Sequence, residues 1–186
     1  MRLSRIENPE HTETKKAYEK SKIYFGKVIT PMQVVYARVP NILKVSSALN
    51  EFFFNGTTVD KGVLTLVKGI TAVINNCNFC IDIGRAEIQN NKELLLKYDS
   101  LTNSELDENL YKDNELAALR YAEEATKYRK VSDETFRELQ KHFADNEIAE
   151  IVVSCAIENY YNVVNTSFEI ESDNLSTYEH ENSLNN

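Results

Sequence analysis

The sequence predicts an all-α fold in one principal domain, and three observations predict it. Glycine and proline are scarce, 5 and 3 in 186 residues, too few for a turn-rich β architecture. The long apolar segments repeat at three-to-four-residue spacing, the period of a helix face packed on a core. Their ends carry residues that open or stop helices: Pro40, Thr57, Ser132 and Asp145 at starts, Asn55-Gly56 at a stop.

The elements follow in order. Pro9-Glu10 opens a polar helical stretch through Lys22, within an N-terminal arm over residues 1–30. Tyr18, Ile23, Tyr24 and Phe25 are its large anchors, so the arm is expected to lie over another helix or another subunit. Pro40 starts a second helix with Leu43, Val45, Leu49, Phe52 and Phe53 available for burial, ended by Asn55-Gly56. Thr57 with Asp60 three residues later reads as a cap. The run behind it, carrying Val63, Leu66, Val67, Ile70, Val73 and Ile74, is too long for a strand in a small domain and reads as a helix.

Asn75-Asn76 breaks that helix and is expected to cap the next, whose first turn carries Cys77 and Cys80. A short segment with Leu94, Leu95 and Leu96 precedes an acidic linker from Asp99 to Asp113. Asn114 to Tyr128 reads as a helix with Leu116, Leu119, Ala122 and Ala125 on one face. Ser132 opens another with Phe136, Leu139 and Phe143, and Asp145 is expected to cap a last long helix through Ile148, Ile151, Val152, Cys155 and Ile157 to Phe168. Residues 172–186, rich in Ser, Asn and Glu, are expected to be a disordered tail.

The net charge of −8 argues against partners that need clustered cations, nucleic acid and anionic membranes above all. No apolar run reaches the roughly 18 residues that a bilayer requires. The N-terminus, Met1-Arg2-Leu3-Ser4-Arg5-Ile6-Glu7, lacks the apolar segment of a secretion signal, so a cytoplasmic location is expected.

One feature points at chemistry: Asn75-Asn76-Cys77-Asn78-Phe79-Cys80-Ile81-Asp82-Ile83-Gly84. A Cys-x-x-Cys pair at a helix start sets two sulfurs close enough for a disulfide, and the helix N-terminus favours thiolate over thiol. Blander readings stand beside it. Half of a zinc site is one, but the third cysteine, Cys155, is solitary in an apolar run, and His11, His142 and His180 are scattered singly, so no second ligand cluster is present. Two buried, inert thiols are another. In a reducing compartment the pair is more readily redox-active, catalytic or metal-binding than a structural staple.

The order of a long helix, Cys-x-x-Cys at the next helix start, a polar linker, then helices with Leu119-Arg120-Tyr121-Ala122-Glu123 and Glu147-Ile148-Ala149-Glu150-Ile151, resembles the carboxymuconolactone decarboxylase family. Within it the chain looks most like the alkyl hydroperoxidase D (AhpD) branch, from about Pro40 to about Ile170. Val73 to Asp82 and Ile157-Glu158-Asn159-Tyr160-Tyr161-Asn162 are its most specific parts. The resemblance implies an AhpD-like helical bundle over residues 31–171 that forms a homo-oligomer, a trimer or hexamer. It implies that Cys80 attacks a hydroperoxide, that Cys77 resolves the sulfenic acid as a disulfide, and that a dithiol protein or small molecule re-reduces it, with no cofactor and no metal.

Two positions depart from the family's proton relay: its histidine falls on Gly84 and its glutamate on Thr65. Asp82 and Glu158 are the candidate replacements, Asp82 against a capping role and Glu158 against a charged residue at a subunit contact. Thr65, Gly69 and Gly84 are expected to converge beside the thiols and widen a pocket for a bulkier substrate, unless the glycines admit a neighbouring helix. Two other functions stay open: a non-enzymatic binding or redox-sensing module on the same scaffold, and a decarboxylase-type lyase, which needs a general base that the motif does not supply.

Overall fold

The computed structural model describes residues 1–103 and 106–177. Among the described residues it is helical throughout: α1 Thr12–Phe25, α2 Ile42–Asn55, α3 Lys61–Ile74, α4 Asn78–Glu87, α5 Lys92–Ser100, α6 Asp113–Tyr128, α7 Asp133–Gln140 and α8 Asp145–Ser167. A π-helical turn, Met32–Tyr36, and 3-10 turns at Glu108–Leu110 and Leu175–Thr177 complete it. None of these helices is long and apolar enough to cross a membrane.

α3 is the central helix, because its side chains are buried on more than one side. Val63, Leu64 and Val67 meet Ala118, Tyr121 and Ala122 of α6, Leu139 of α7 and Ile148, Ile151 and Cys155 of α8. Leu66 turns to Tyr98 and Leu101 at the end of α5 and to Leu119. Ala72 joins Cys77, Phe79 and Cys80 in a further cluster closed by Ile29, Val34, Ile170 and Leu175. The cysteine pair is thus covered by the segment before α2 and the segment after α8.

Several helix starts differ from expectation for one physical reason: the nearest correctly placed carboxylate takes the free backbone N–H groups. Asp60 itself caps α3, accepting from the N–H of Gly62 at 2.9 Å and of Val63 at 3.3 Å. The preceding Thr58 and Val59 donate instead to Glu150 of α8, at 2.7 and 2.9 Å. α8 begins at the expected cap residue, Asp145, and its N-cap position falls one residue earlier on Ala144, whose N–H donates to Glu147 at 2.8 Å. Ser132 caps α7 as read, accepting from Thr135 at 3.2 Å.

The expected burial of α2 is corrected. None of its residues is buried; Val45 is 47% and Phe54 62% exposed. The helix is amphipathic but turns much of its apolar surface outward.

The N-terminal arm folds back on its own chain. Arg2 donates its N–H to the Phe168 carbonyl at 2.9 Å, and the Tyr18 hydroxyl donates to the Ile6 carbonyl at 2.6 Å. α1 closes at Gly26, whose φ of 70° is left-handed and lets its N–H reach the Lys22 carbonyl. The tail reading is corrected for residues 172–177: Asp173 and Leu175 are buried, and Asp173 accepts two hydrogen bonds of 2.6 Å from Thr30. Residues 178–186, the rest of that expected tail and the place of His180, lie outside the described residues.

Candidate active site

The chain reverses sharply between α3 and α4. Asn76 takes a left-handed φ of 52°, which asparagine tolerates better than most residues. The Asn75 side chain does not cap α4; it donates to Asn159 at 3.0 Å and to Asn162 at 2.9 Å on α8. Cys77 takes the N-cap position itself, which puts Cys80 in the first turn of α4. The two are joined by a disulfide, with Cα atoms 5.2 Å apart.

The two sulfurs have different surroundings. Cys77 is 1% exposed and sealed in the cluster with Val34 and Leu175, whereas Cys80, 6% exposed, borders an open cavity of about 1330 Å³ lined by α1, α2, α3, α4 and α8, by Tyr98 of α5 and by the segment around Met32–Tyr36. The Asn165 side-chain amide donates to Cys80 Sγ at 3.3 Å. Such a donor favours a thiolate when the pair is reduced, and the helix N-terminus acts in the same direction.

Glu158 borders the same cavity and is 5% exposed. Burial pushes its carboxyl up to about 7, against the opposing pull of the Lys68 charge and of a 2.6 Å hydrogen bond from Asn162. A carboxyl balanced near neutrality exchanges protons readily. Lys68 is ion-paired with Glu87 at 3.4 Å and lies 4.8 Å from the centre of the Phe53 ring. Burial works against its charge, but Glu87 and Glu158 outweigh that and hold its ammonium above the usual range.

Asp82 is a correction. It is buried away from the cavity, and its carboxylate accepts from the backbone N–H of Leu175 at 2.9 Å and of Ser176 at 3.0 Å. Burial alone would raise its pKa, yet these hydrogen bonds hold it below the ordinary carboxylate range. It latches the C-terminal segment onto α4.

The widened pocket is corrected in part: Thr65 and Gly84 border the cavity with Cys80, but Gly69 does not. Thr65 borders the cavity, its hydroxyl donating to the Lys61 carbonyl at 2.8 Å. Gly84 borders it as well, with the Tyr98 hydroxyl of α5 against it, whereas Gly69 lies outside the lining and is covered by the Tyr98 ring. A Cβ on Gly69 would lie 2.6 Å from the Tyr98 ring, and one on Gly84 would collide with the Tyr98 hydroxyl. That hydroxyl donates to the Ile81 carbonyl at 3.3 Å. Both glycines make room for Tyr98 of the neighbouring helix, and Gly84 alone also borders the cavity.

Cys155 belongs to the other core, among Val67, Tyr121 and Ile151, with Thr71 Oγ1 at 3.6 Å and Thr126 Oγ1 at 3.7 Å. His142 pairs with Glu138 on the surface at 3.5 Å, and His11 is exposed at the start of α1. Among the described residues no group of three or more His, Cys, Asp or Glu is placed to hold a metal ion.

Sequence reasoning missed Asn165, Lys68 and Tyr98. A signal for the first existed: Glu158, Asn162 and Asn165 fall at i, i+4 and i+7, a polar stripe on a helix that otherwise buries mainly apolar residues, and all three are buried.

No protein-family model matches the chain, and no curated protein matches it either. Solved structures do. A peroxidase-related protein from Ralstonia eutropha JMP134, described as an alkylhydroperoxidase AhpD core, has 18% identity and a TM-score of 0.77 over 94% of this chain and 95% of its own. A protein of unknown function from Agrobacterium tumefaciens, described as a candidate antioxidant defence protein AhpD, has 24% identity and a TM-score of 0.68 over 75% of this chain and 96% of its own. The debrominase Bmp8 has 13% identity and a TM-score of 0.75 over 94% of each chain. With its helices in this order and the cysteine pair at the start of α4, the chain has the AhpD-like fold.

Proposed function

We propose that the protein is a thiol-dependent hydroperoxide reductase. The observation that carries this reading is the asymmetry of the pair: a bridged Cys77–Cys80 in which Cys80 alone borders the cavity that Glu158 also borders.

In the reduced protein, Glu158 takes the Cys80 thiol proton. The thiolate attacks the terminal oxygen of the hydroperoxide; an S–O bond forms, the O–O bond breaks, and the leaving alkoxide takes the proton from Glu158 and departs as an alcohol. The Cys77 thiol then attacks the Cys80 sulfenic acid, forming the disulfide and releasing water. The peroxide is reduced by two electrons, the thiols are oxidised by two, and an external dithiol, protein or small molecule, restores them. Asn165 holds charge on Cys80 Sγ, and Glu158 does the work for which Thr65 and Gly84 have no titratable group. We place this activity in the cytoplasm, in a homo-oligomer assembled through the exposed apolar face of α2.

The test is thiol titration of reduced protein exposed to cumene hydroperoxide. Loss of two thiols per chain, abolished by Cys80→Ser, supports the reductase. Unreactive thiols contradict it and leave a binding module. The fold shared with Bmp8 motivates one control, 2,3,4-tribromopyrrole, the compound seen in complex with a cysteine-to-alanine variant of that debrominase. Bromide release faster than hydroperoxide reduction would reassign the substrate.

A further inference from the structure

We propose that the cavity beside Cys80 takes an amphiphilic anion: a long apolar chain that lies along the cavity and carries its hydroperoxide at Cys80, with a carboxylate left at the lysine-lined mouth. This substrate class rests on the reductase reading above, which by itself requires only a hydroperoxide of any kind.

Size and lining come first. At about 1330 Å³ the cavity exceeds the roughly 300–1,000 Å³ of ordinary small-molecule sites, far more than hydrogen peroxide needs. Its buried floor includes Tyr36, Leu64 and Phe79 beside Cys80, with Ile83 and Phe53 on the walls. Apolar surface of this kind gains from covering by an apolar chain and gives nothing to a small polar peroxide.

Charge distinguishes the mouth from the rest of the molecule. The whole chain carries −8, yet Lys16, Lys20, Lys44, Lys61 and Lys68 border the cavity against three carboxylates, Glu13, Glu87 and Glu158. Those carboxylates do not cancel the excess. Glu13 pairs with Lys16 at 2.8 Å and Glu87 with Lys68 at 3.4 Å. Glu158, raised to about 7, is only partly ionised at neutral pH. Lys61 donates to the Phe54 carbonyl at 2.8 Å. Among the described residues, exposed Lys20 of α1 and Lys44 of α2 enter no ion pair. Two cations outside any direct ion pair, from two helices at the mouth of an apolar cavity, complement a chain with one anionic end.

The full-length protein in its disulfide form gives a binding test free of turnover. Dodecanoate and 1-dodecanol, matched in chain length, are titrated by calorimetry below the concentration at which dodecanoate forms micelles. The acid is expected to bind about fivefold more tightly, as ion pairs at an exposed rim give. Lys20→Glu with Lys44→Glu is expected to erase that preference, and Lys20→Gln with Lys44→Gln serves where the first pair does not fold. Equal binding of acid and alcohol, or binding of neither, overturns the proposal. In parallel, reduced protein is offered linoleic acid hydroperoxide, its methyl ester and cumene hydroperoxide. A lower KM for the acid than for the ester supports the proposal; reduction of all three without that difference overturns it and leaves the reductase standing. Binding of dodecanoate with no reduction of any hydroperoxide has the opposite meaning: the ligand class holds and the reductase reading fails.

Discussion

The hydroxyl of Tyr98 occupies the space that any side chain at position 84 needs, so Gly84 and Tyr98 form one packing unit between α4 and α5. The Cε2 edge of the same ring also lies against Gly69, where a Cβ would come within 2.6 Å of it. Gly84→Ala is therefore expected to destabilise the protein by about 1–3 kcal/mol, the usual cost of overpacking a filled core. Thermal unfolding checks it. Adding Tyr98→Phe, which removes the colliding oxygen, is expected to recover most of the loss, and additivity of the two substitutions would show that they do not share this space.

The two cysteines are predicted to behave differently because only one meets the cavity. Cys80→Ser abolishes hydroperoxide consumption. Cys77→Ser permits one turnover and strands Cys80 as a sulfenic acid, detectable by mass spectrometry after dimedone labelling.

Glu158 gives a pH dependence of known sign. Its folded pKa of about 7 lies above the ordinary value of 4.5, so the folded state holds more protons than the unfolded state between those limits. Stability is fully present below the unfolded pKa and declines as pH rises toward 7. Glu158→Gln is expected to flatten that decline in denaturant titrations at pH 5 and pH 8. The same substitution removes the proton carrier and should lower kcat/KM by about 10²-fold or more, measured at pH 7.

How much of this was legible follows the range of the interactions. Helix order and the position of the cysteine pair came from local periodicity and spacing, and α3, α6 and α7 lie where the pattern put them. Glu158 was legible as a candidate because it sits in a distinctive segment of α8. The fate of Gly84 was not, because the side chain that fills it comes from the next helix, α5, and nothing in the local pattern of Leu94 to Tyr98 announces it. Asp82 was misread for the same reason: its partners, Leu175 and Ser176, are brought in by the fold from 93 and 94 residues away. The apolar residues of α2 look the same in sequence whether they are buried in the chain or left outside it.

The Asp82 latch predicts a local effect. Asp82→Ala leaves the Leu175 and Ser176 N–H groups without a partner and removes a charge-assisted cap, costing about 1–3 kcal/mol. Hydrogen exchange is expected to rise at residues 175–177 before any other part of α4 or α8 responds. Uniform exchange across the molecule would contradict a latch.

The exposed face of α2 predicts association. Light scattering is expected to give a trimer or hexamer, and Val45→Glu with Phe54→Glu, both at outward positions, should yield smaller species. A monomeric wild-type chain contradicts the assembly.

The most direct test of the central claim is a single-turnover balance. Fully reduced protein is mixed with one equivalent of cumene hydroperoxide, then quenched with acid, and alcohol and disulfide are counted together. The account predicts one cumyl alcohol formed for each Cys77–Cys80 bridge, with Cys155 still a free thiol. Alcohol without the bridge, or reduced cysteines beside unconsumed hydroperoxide, would contradict it.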